Sequence, residues 1–246
     1  MLIFTDLDDT LFQTERKLHL RQKSQEQATN VVQDGSGVKP TFMLEHQKKL
    51  LDWLSHGEVI AVTGRDRRAF EALQIKWGSH AILNHGATLL LWQENGWTDD
   101  PEWTDHMRQQ ASHYQHLLQE ALRLLQEAHP DPELMFHRII QEGDLPICTV
   151  SKVRGLPESA LAEVLQTVQQ KLGSEGYYVH LNGNNLSFVP HAVRKKHAVE
   201  HLKAKRGAGL TLGIGDSHTD LEFMQSCDFW MTPSQSQIAR LLEPHA

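Results

Sequence analysis

Three carboxylates crowd into four positions of the segment DLDDT, at Asp6, Asp8 and Asp9. Such crowding is electrostatically costly unless a cation compensates or one carboxyl keeps its proton. Far downstream, GDSHTD supplies Asp216 and Asp220. Both acidic groups follow short apolar runs, Leu2 to Thr5 and Leu210 to Ile214, that read as buried strands. One acidic residue after a strand commonly caps a helix; two such groups together point instead to a shared cation. Hard oxygen donors without an adjacent Cys or His cluster indicate Mg2+ rather than zinc. A third strand-like run, Glu58 to Val62, delivers Thr63, Gly64 and Arg65. Open α/β sheets gather ligand chemistry at the carboxyl ends of their strands, so three such ends converging make one site.

The elements that must position these residues are βα repeats, hence a parallel sheet in an α/β, doubly wound core. Leu44 to Leu54 reads as an amphipathic helix feeding the second strand. Ahead of it, the polar stretch 13–40 reads either as two short strands around Asp34-Gly35-Ser36-Gly37 or as a disordered loop, and a flap beside the site is expected there. The middle of the chain differs in character. Strand-like runs flank Asn84-His85-Gly86, and a long helix buries Met107, Ala111, Tyr114, Leu118, Ala121, Leu125 and Ala128 on one face. Ile147 to Val150 is a strand, Leu161 to Leu172 lies on a helix ended by Gly173, and two last strands flank Asn182-Gly183-Asn184-Asn185. The expected division is a core of residues 1–83 and 191–246 with an inserted α+β lid of 84–190.

DLDDTLF, VTGR, RKKHAV and GDSHTD, in that order, resemble the four motifs of the haloacid dehalogenase superfamily of phosphohydrolases. The resemblance runs from Asp6 to Asp220, and the inserted middle is similar to a C2-type cap, as in Cof-like sugar phosphatases and phosphomannomutase. It implies a Rossmann-like core and residue roles as follows. Asp6 is the nucleophile that forms an aspartyl-phosphate, and Asp8 protonates the leaving group and then deprotonates water. Asp6, the backbone carbonyl of Asp8, and Asp216 hold Mg2+, with Asp220 supporting them. Thr63 and the Gly64 amide bind phosphate oxygens, beside Arg65. From the residues alone, Asn84 and the Asn182–Asn185 turn, Asn184 included, either reach substrate hydroxyls or serve only tight turns. Lys195 neutralises phosphate and nucleophile, with Lys196 the alternative in the same KKHAV run. Two departures stand out: Asp9 occupies a position often held by glycine, and Thr219 one often held by asparagine. The implied substrate is a small phosphate monoester, a sugar phosphate before a nucleotide or protein. The same motifs would serve a phosphotransferase or mutase, and a non-catalytic binding protein would be expected to show decayed motifs.

Bulk properties narrow the classes. A net charge of -7 over 246 residues offers no basic excess for nucleic acid. No run approaches a membrane span, and the acidic residues right after the first apolar run argue against a leader, so a cytoplasmic protein is expected. Cys148 and Cys227 read as reduced thiols, with one disulfide as the alternative. The sixteen histidines show no ligand spacing and read as surface groups; Trp92, Trp97 and Trp103 serve either packing or sugar stacking.

Overall fold

The computed structural model describes residues 1–20, 28–154, 156–207 and 209–241. The chain forms two compact units, Met1–Asp100 with Lys195–Ala246, and Pro101–Arg194. The first is built on a seven-stranded sheet. Its parallel part comprises β1 (Leu2–Thr5), β5 (Glu58–Val62), β6 (His80–Leu83), β13 (Thr211–Ile214) and β14 (Phe229–Met231). Two antiparallel strands, β7 (Thr88–Gln93) and β8 (Gly96–Asp99), extend it past β6. The order is β14-β13-β1-β5-β6-β7-β8. Every residue of β1 is buried, as expected of a strand covered on both faces.

Thr5 pairs with Ile214 on one side and Ala61 on the other. That register brings the ends of β1, β5 and β13 level, so the residues that follow them emerge at one edge of the sheet. Helices α2 (Glu45–Leu54), α3 (Arg67–Glu71), α6 (Lys195–Arg206), α7 (His218–Met224) and α8 (Gln237–Leu241) complete the unit. Its core gathers Ile3, Leu7, Phe12, Leu54, Phe70 and Ile214.

The polar stretch after β1 is ordered where described; residues 21–27 of it lie outside the described part. It holds β2 (Gln13–Thr14), α1 (Glu15–Leu20) and β3 (Ala28–Asn30), and with β4 (Thr41–Leu44) it forms a sheet of order β2-β4-β3. The two strands read around Asp34–Gly37 are β3 and β4. Gln47 on α2 ties this sheet to the first loop: its side chain bonds Gln13, the Thr10 carbonyl and the Leu44 amide.

The second unit is an antiparallel sheet of order β11-β12-β10-β9 with two helices. Its elements are α4 (Pro101–Ala128), β9 (Met135–Glu142), β10 (Leu145–Val153), α5 (Ala160–Leu172), β11 (Tyr177–Asn182) and β12 (Asn185–Pro190). Of the expected α4 stripe, Met107 to Leu125 is buried and Ala128 is partly so. Leu125, Leu161, Val168 and Phe188 pack in one core, each worth about 1.5–3 kcal/mol of burial. Gly173 closes α5 at φ 78°, a left-handed conformation glycine enters without a Cβ penalty.

The division differs from the expected one in its bounds. β7 and β8 belong to the first unit, because Leu89 and Leu90 are buried where β7 pairs with β6. The first unit therefore runs to Asp100, and the chain returns to it at Lys195. Both cysteines are free thiols. Among the described residues no helix is long and apolar enough to cross a membrane.

Candidate active site

After β1 the chain turns back tightly, with the amides of Leu11 and Phe12 donating to the Leu7 carbonyl. Asp9 takes a φ of 68° in this turn. That left-handed conformation explains why glycine suits the position, and aspartate is among the few other residues that tolerate it. The turn sends the three carboxylates of DLDDT to three different cations. Lys195 Nζ donates to Asp6 Oδ1 at 2.6 Å. Arg65 grips Asp8 with two bonds, Nε to Oδ2 and Nη2 to Oδ1, both 2.8 Å. Lys17 on α1 pairs with Asp9. The crowding read from the sequence is thus resolved one cation at a time.

Lys195 opens α6 and is buried, held between Asp6 and Asp220, whose Oδ1 it meets at 2.7 Å. Lys196 is only partly buried and pairs with Glu200, one turn along the same helix. Burial opposes charging Lys195, but the charges of Asp220 and Asp6 outweigh it and keep the ammonium protonated far above its usual range. Asp220 is committed on both oxygens: Oδ2 accepts from the amides of Asp216 and Ser217 and from the Ser217 hydroxyl. Burial would raise its carboxyl, yet Lys195 and these bonds hold it below the usual range. It anchors Lys195 and the start of α7 together. Gly215 is needed beside it, because an added Cβ would sit 2.5 Å from the Asp220 Cβ.

Asp6 accepts a second bond from the Thr10 hydroxyl, at 3.2 Å. Burial first, then the charges of Asp220 and Asp216, push its carboxyl well above the usual range against the pull of Lys195. Asp216 is also buried and, among the described residues, has no ion pair. Burial and the charges of Asp220 and Asp9 push it up to about 7. Carboxylate oxygens of Asp6, Asp216 and Asp220 lie within 4.8 Å of one another. Three carboxylates against one ammonium leave two negative charges uncompensated in a buried place. An all-oxygen donor set with that deficit fits a hard dication such as Mg2+.

Thr63 follows β5 and is buried; its hydroxyl accepts the Arg65 amide at 3.1 Å. A hydroxyl that accepts still has its own proton to donate. Gly64 beside it lies against the His85 ring, which would sit 2.5 Å from an added Cβ. His85 and Asn84 are both left-handed, at φ 59° and 53°, in a 3-10 turn after β6. In the sequence His85 is marked only by its place between Asn84 and Gly86.

The expected substrate contacts divide. Asn84 is buried with its amide on the Thr88 hydroxyl, and Arg65 has its fork on Asp8 and Thr41. Asn184 is exposed at the β11–β12 turn of the second unit. Trp97 packs edge-on to Phe70 and Trp92, while Trp103 is buried at the start of α4.

The fold is that of the haloacid dehalogenase-type phosphatases. The sucrose-phosphatase of Synechocystis sp. PCC6803, solved with sucrose and phosphate, superposes over 98% of this chain and 86% of its own. The TM-score is 0.57 and the identity 15%. The C-terminal domain of C. albicans trehalose-6-phosphate phosphatase does so over 92% and 73%, with TM-score 0.54 and 18% identity. Plasmodium falciparum IMP-nucleotidase gives 97% and 66%, with TM-score 0.61 and 13% identity. No protein-family model and no curated protein matches the sequence.

Proposed function

We propose that this chain is a Mg2+-dependent phosphatase that cleaves a small phosphate monoester, a sugar phosphate, through a phosphoaspartate on Asp6. The observation that carries the reading is Lys195, buried between Asp6 and Asp220 where the ends of β1 and β13 meet. A buried ammonium bonded to the nucleophilic carboxylate is suited to an anionic substrate attacked by an anionic nucleophile. Mg2+, held by Asp6, the Asp8 carbonyl and Asp216, would supply positive charge against the phosphate oxygens.

The remaining steps belong to the chain's own groups. A carboxylate oxygen of Asp6 attacks phosphorus, and the bond from phosphorus to the ester oxygen breaks. The departing alkoxide takes a proton from the Asp8 carboxyl. Water then gives a proton back to the Asp8 carboxylate as its oxygen attacks the phosphoaspartate, which frees Asp6 and inorganic phosphate. Thr63 and the Gly64 amide hold phosphate oxygens, while Lys195 keeps the Asp6 carboxylate from repelling the incoming dianion. A small phosphorylated substrate is supported by the fold shared with sucrose- and trehalose-6-phosphate phosphatases and with IMP-nucleotidase.

The test is a panel of phosphorylated sugars, polyols and nucleotides with Mg2+ and a phosphate readout. Release of inorganic phosphate from sugar phosphates, lost in Asp6→Asn and with chelator, is the expected result. Isomerised sugar phosphate without phosphate release would make the protein a mutase instead. Unchanged turnover in Asp6→Asn would end the proposal.

A further inference from the structure

Arg65 is joined to the site by more than its charge. Its guanidinium meets Asp8 side-on through two bonds of 2.8 Å, and Nη2 also reaches the Thr41 hydroxyl at 3.1 Å. The guanidinium carbon lies 4.8 Å from the centre of the Phe12 ring. Arg65 is nearly enclosed, its side chain 11% exposed, whereas that of Asp8 remains 42% exposed. The two thus divide their roles: one is packed in place and the other is held by it while open to a ligand.

A lone aspartate on a turn would rotate about two side-chain bonds. A planar fork bonded to both carboxylate oxygens removes that freedom, which a point-charge lysine cannot do. The fork is itself fixed from three sides. Thr41 begins β4 of the small sheet, Phe12 ends the turn that carries Asp8, and the Arg65 amide is bonded to Thr63. The chain segments that supply the phosphate contacts and the proton-transfer carboxylate are therefore coupled through one guanidinium.

We propose that Arg65 is a positioning residue that acts through Asp8, with Thr41 of the small sheet as its brace. This inference rests on the phosphatase reading and deepens it. It departs from a substrate-contact role for Arg65, since the fork is already engaged within the protein. The consequence falls on the step that needs Asp8 whatever the leaving group, which is activation of water against the phosphoaspartate. Attack of Asp6 on an activated aryl ester needs no proton donor, because the departing phenolate is stable by itself.

Rapid-quench kinetics with 4-nitrophenyl phosphate and Mg2+ separate the two steps. Arg65→Lys is expected to release about one equivalent of 4-nitrophenolate per site at close to the unaltered rate. Its later steady-state rate should then fall on the order of 10–100-fold, as expected when a proton-transfer group is misplaced. Thr41→Val should show the same pattern with a loss of about 2–10-fold, the worth of one hydrogen bond. It carries the test if Arg65→Lys fails to fold. Equal slowing of both phases, or unchanged steady-state turnover, overturns the proposal. No 4-nitrophenolate from the unaltered protein would overturn the phosphatase reading, and this inference with it.

Discussion

Replacing Lys195 with methionine removes one charge and keeps most of the side-chain volume. It leaves Asp6 and Asp220 facing each other where the ammonium bridged them at 2.6 and 2.7 Å. Asp220 keeps its Ser217 and Asp216 donors and Asp6 keeps Thr10, so neither is stripped entirely. Removing one partner of a buried ion pair costs about 3–5 kcal/mol, because an uncompensated charge remains. Each kcal/mol moves the melting temperature of a chain this size by about 2–4 °C, so Lys195→Met should melt about 6–20 °C lower. Lys196→Met is the internal control: its pair with Glu200 is on the surface and should be worth less than about 0.5 kcal/mol. Melts followed by circular dichroism, with and without Mg2+, read both effects. The charge deficit of the cluster grows from two to three in Lys195→Met, so Mg2+ should raise its melting temperature more than that of the unaltered protein. A Lys195→Met melt within about 1 °C of the unaltered protein would refute the account of the cluster, since the predicted minimum is about 6 °C.

Three further outcomes are expected. Gly64→Ala places a Cβ against the His85 ring and should cost about 1–3 kcal/mol with a fall in turnover; adding His85→Ala should return the melting temperature, and no recovery would show that the strain lies elsewhere. Asp216→Asn should weaken Mg2+ binding by at least about the 10–100-fold that losing an outer-shell partner costs, read as loss of the Mg2+-induced rise in melting temperature. Asp216 is pushed up to about 7 in the folded protein, so it takes up a proton there that the unfolded chain does not, and acidification from about pH 7 to 4 favours the folded state at this residue. Without Mg2+, the urea midpoint of the unaltered protein should therefore rise relative to that of Asp216→Asn over this range; a difference that does not change with pH would contradict this.

The ends of β1, β5 and β13 were legible because a buried parallel strand writes itself as a short apolar run followed by polar residues and glycine. Asp6, Asp216, Asp220 and Lys195, far apart in sequence, do meet in one cluster. The partners inside that cluster were not legible. Nothing in spacing tells that Asp8 takes Arg65, that Asp9 takes Lys17, or that Asp220 bonds four donors instead of standing open, because those choices depend on how turns aim side chains across strands. The place of β7 was also hidden. Its run Thr88 to Gln93 looks like any half-buried strand, and only pairing with β6 shows which sheet it joins. β9 escaped notice because His137, Arg138 and Gln141 interrupt its apolar residues; it lies at the edge of its sheet, where such residues reach solvent. Asn84, expected at the substrate from its type, is buried and bonds the Thr88 hydroxyl, a partner that spacing does not reveal.

Covalent phosphorylation of Asp6 is the expectation on which the proposed mechanism turns. The most direct measurement is acid quenching of Arg65→Lys, expected to accumulate the intermediate, during turnover of 4-nitrophenyl phosphate with Mg2+, followed by mass spectrometry of its peptides. One added phosphoryl group is expected on the peptide that carries Asp6, absent in Asp6→Asn. Phosphate release with that peptide unmodified at every quench time, or the phosphoryl group on another residue, would contradict it.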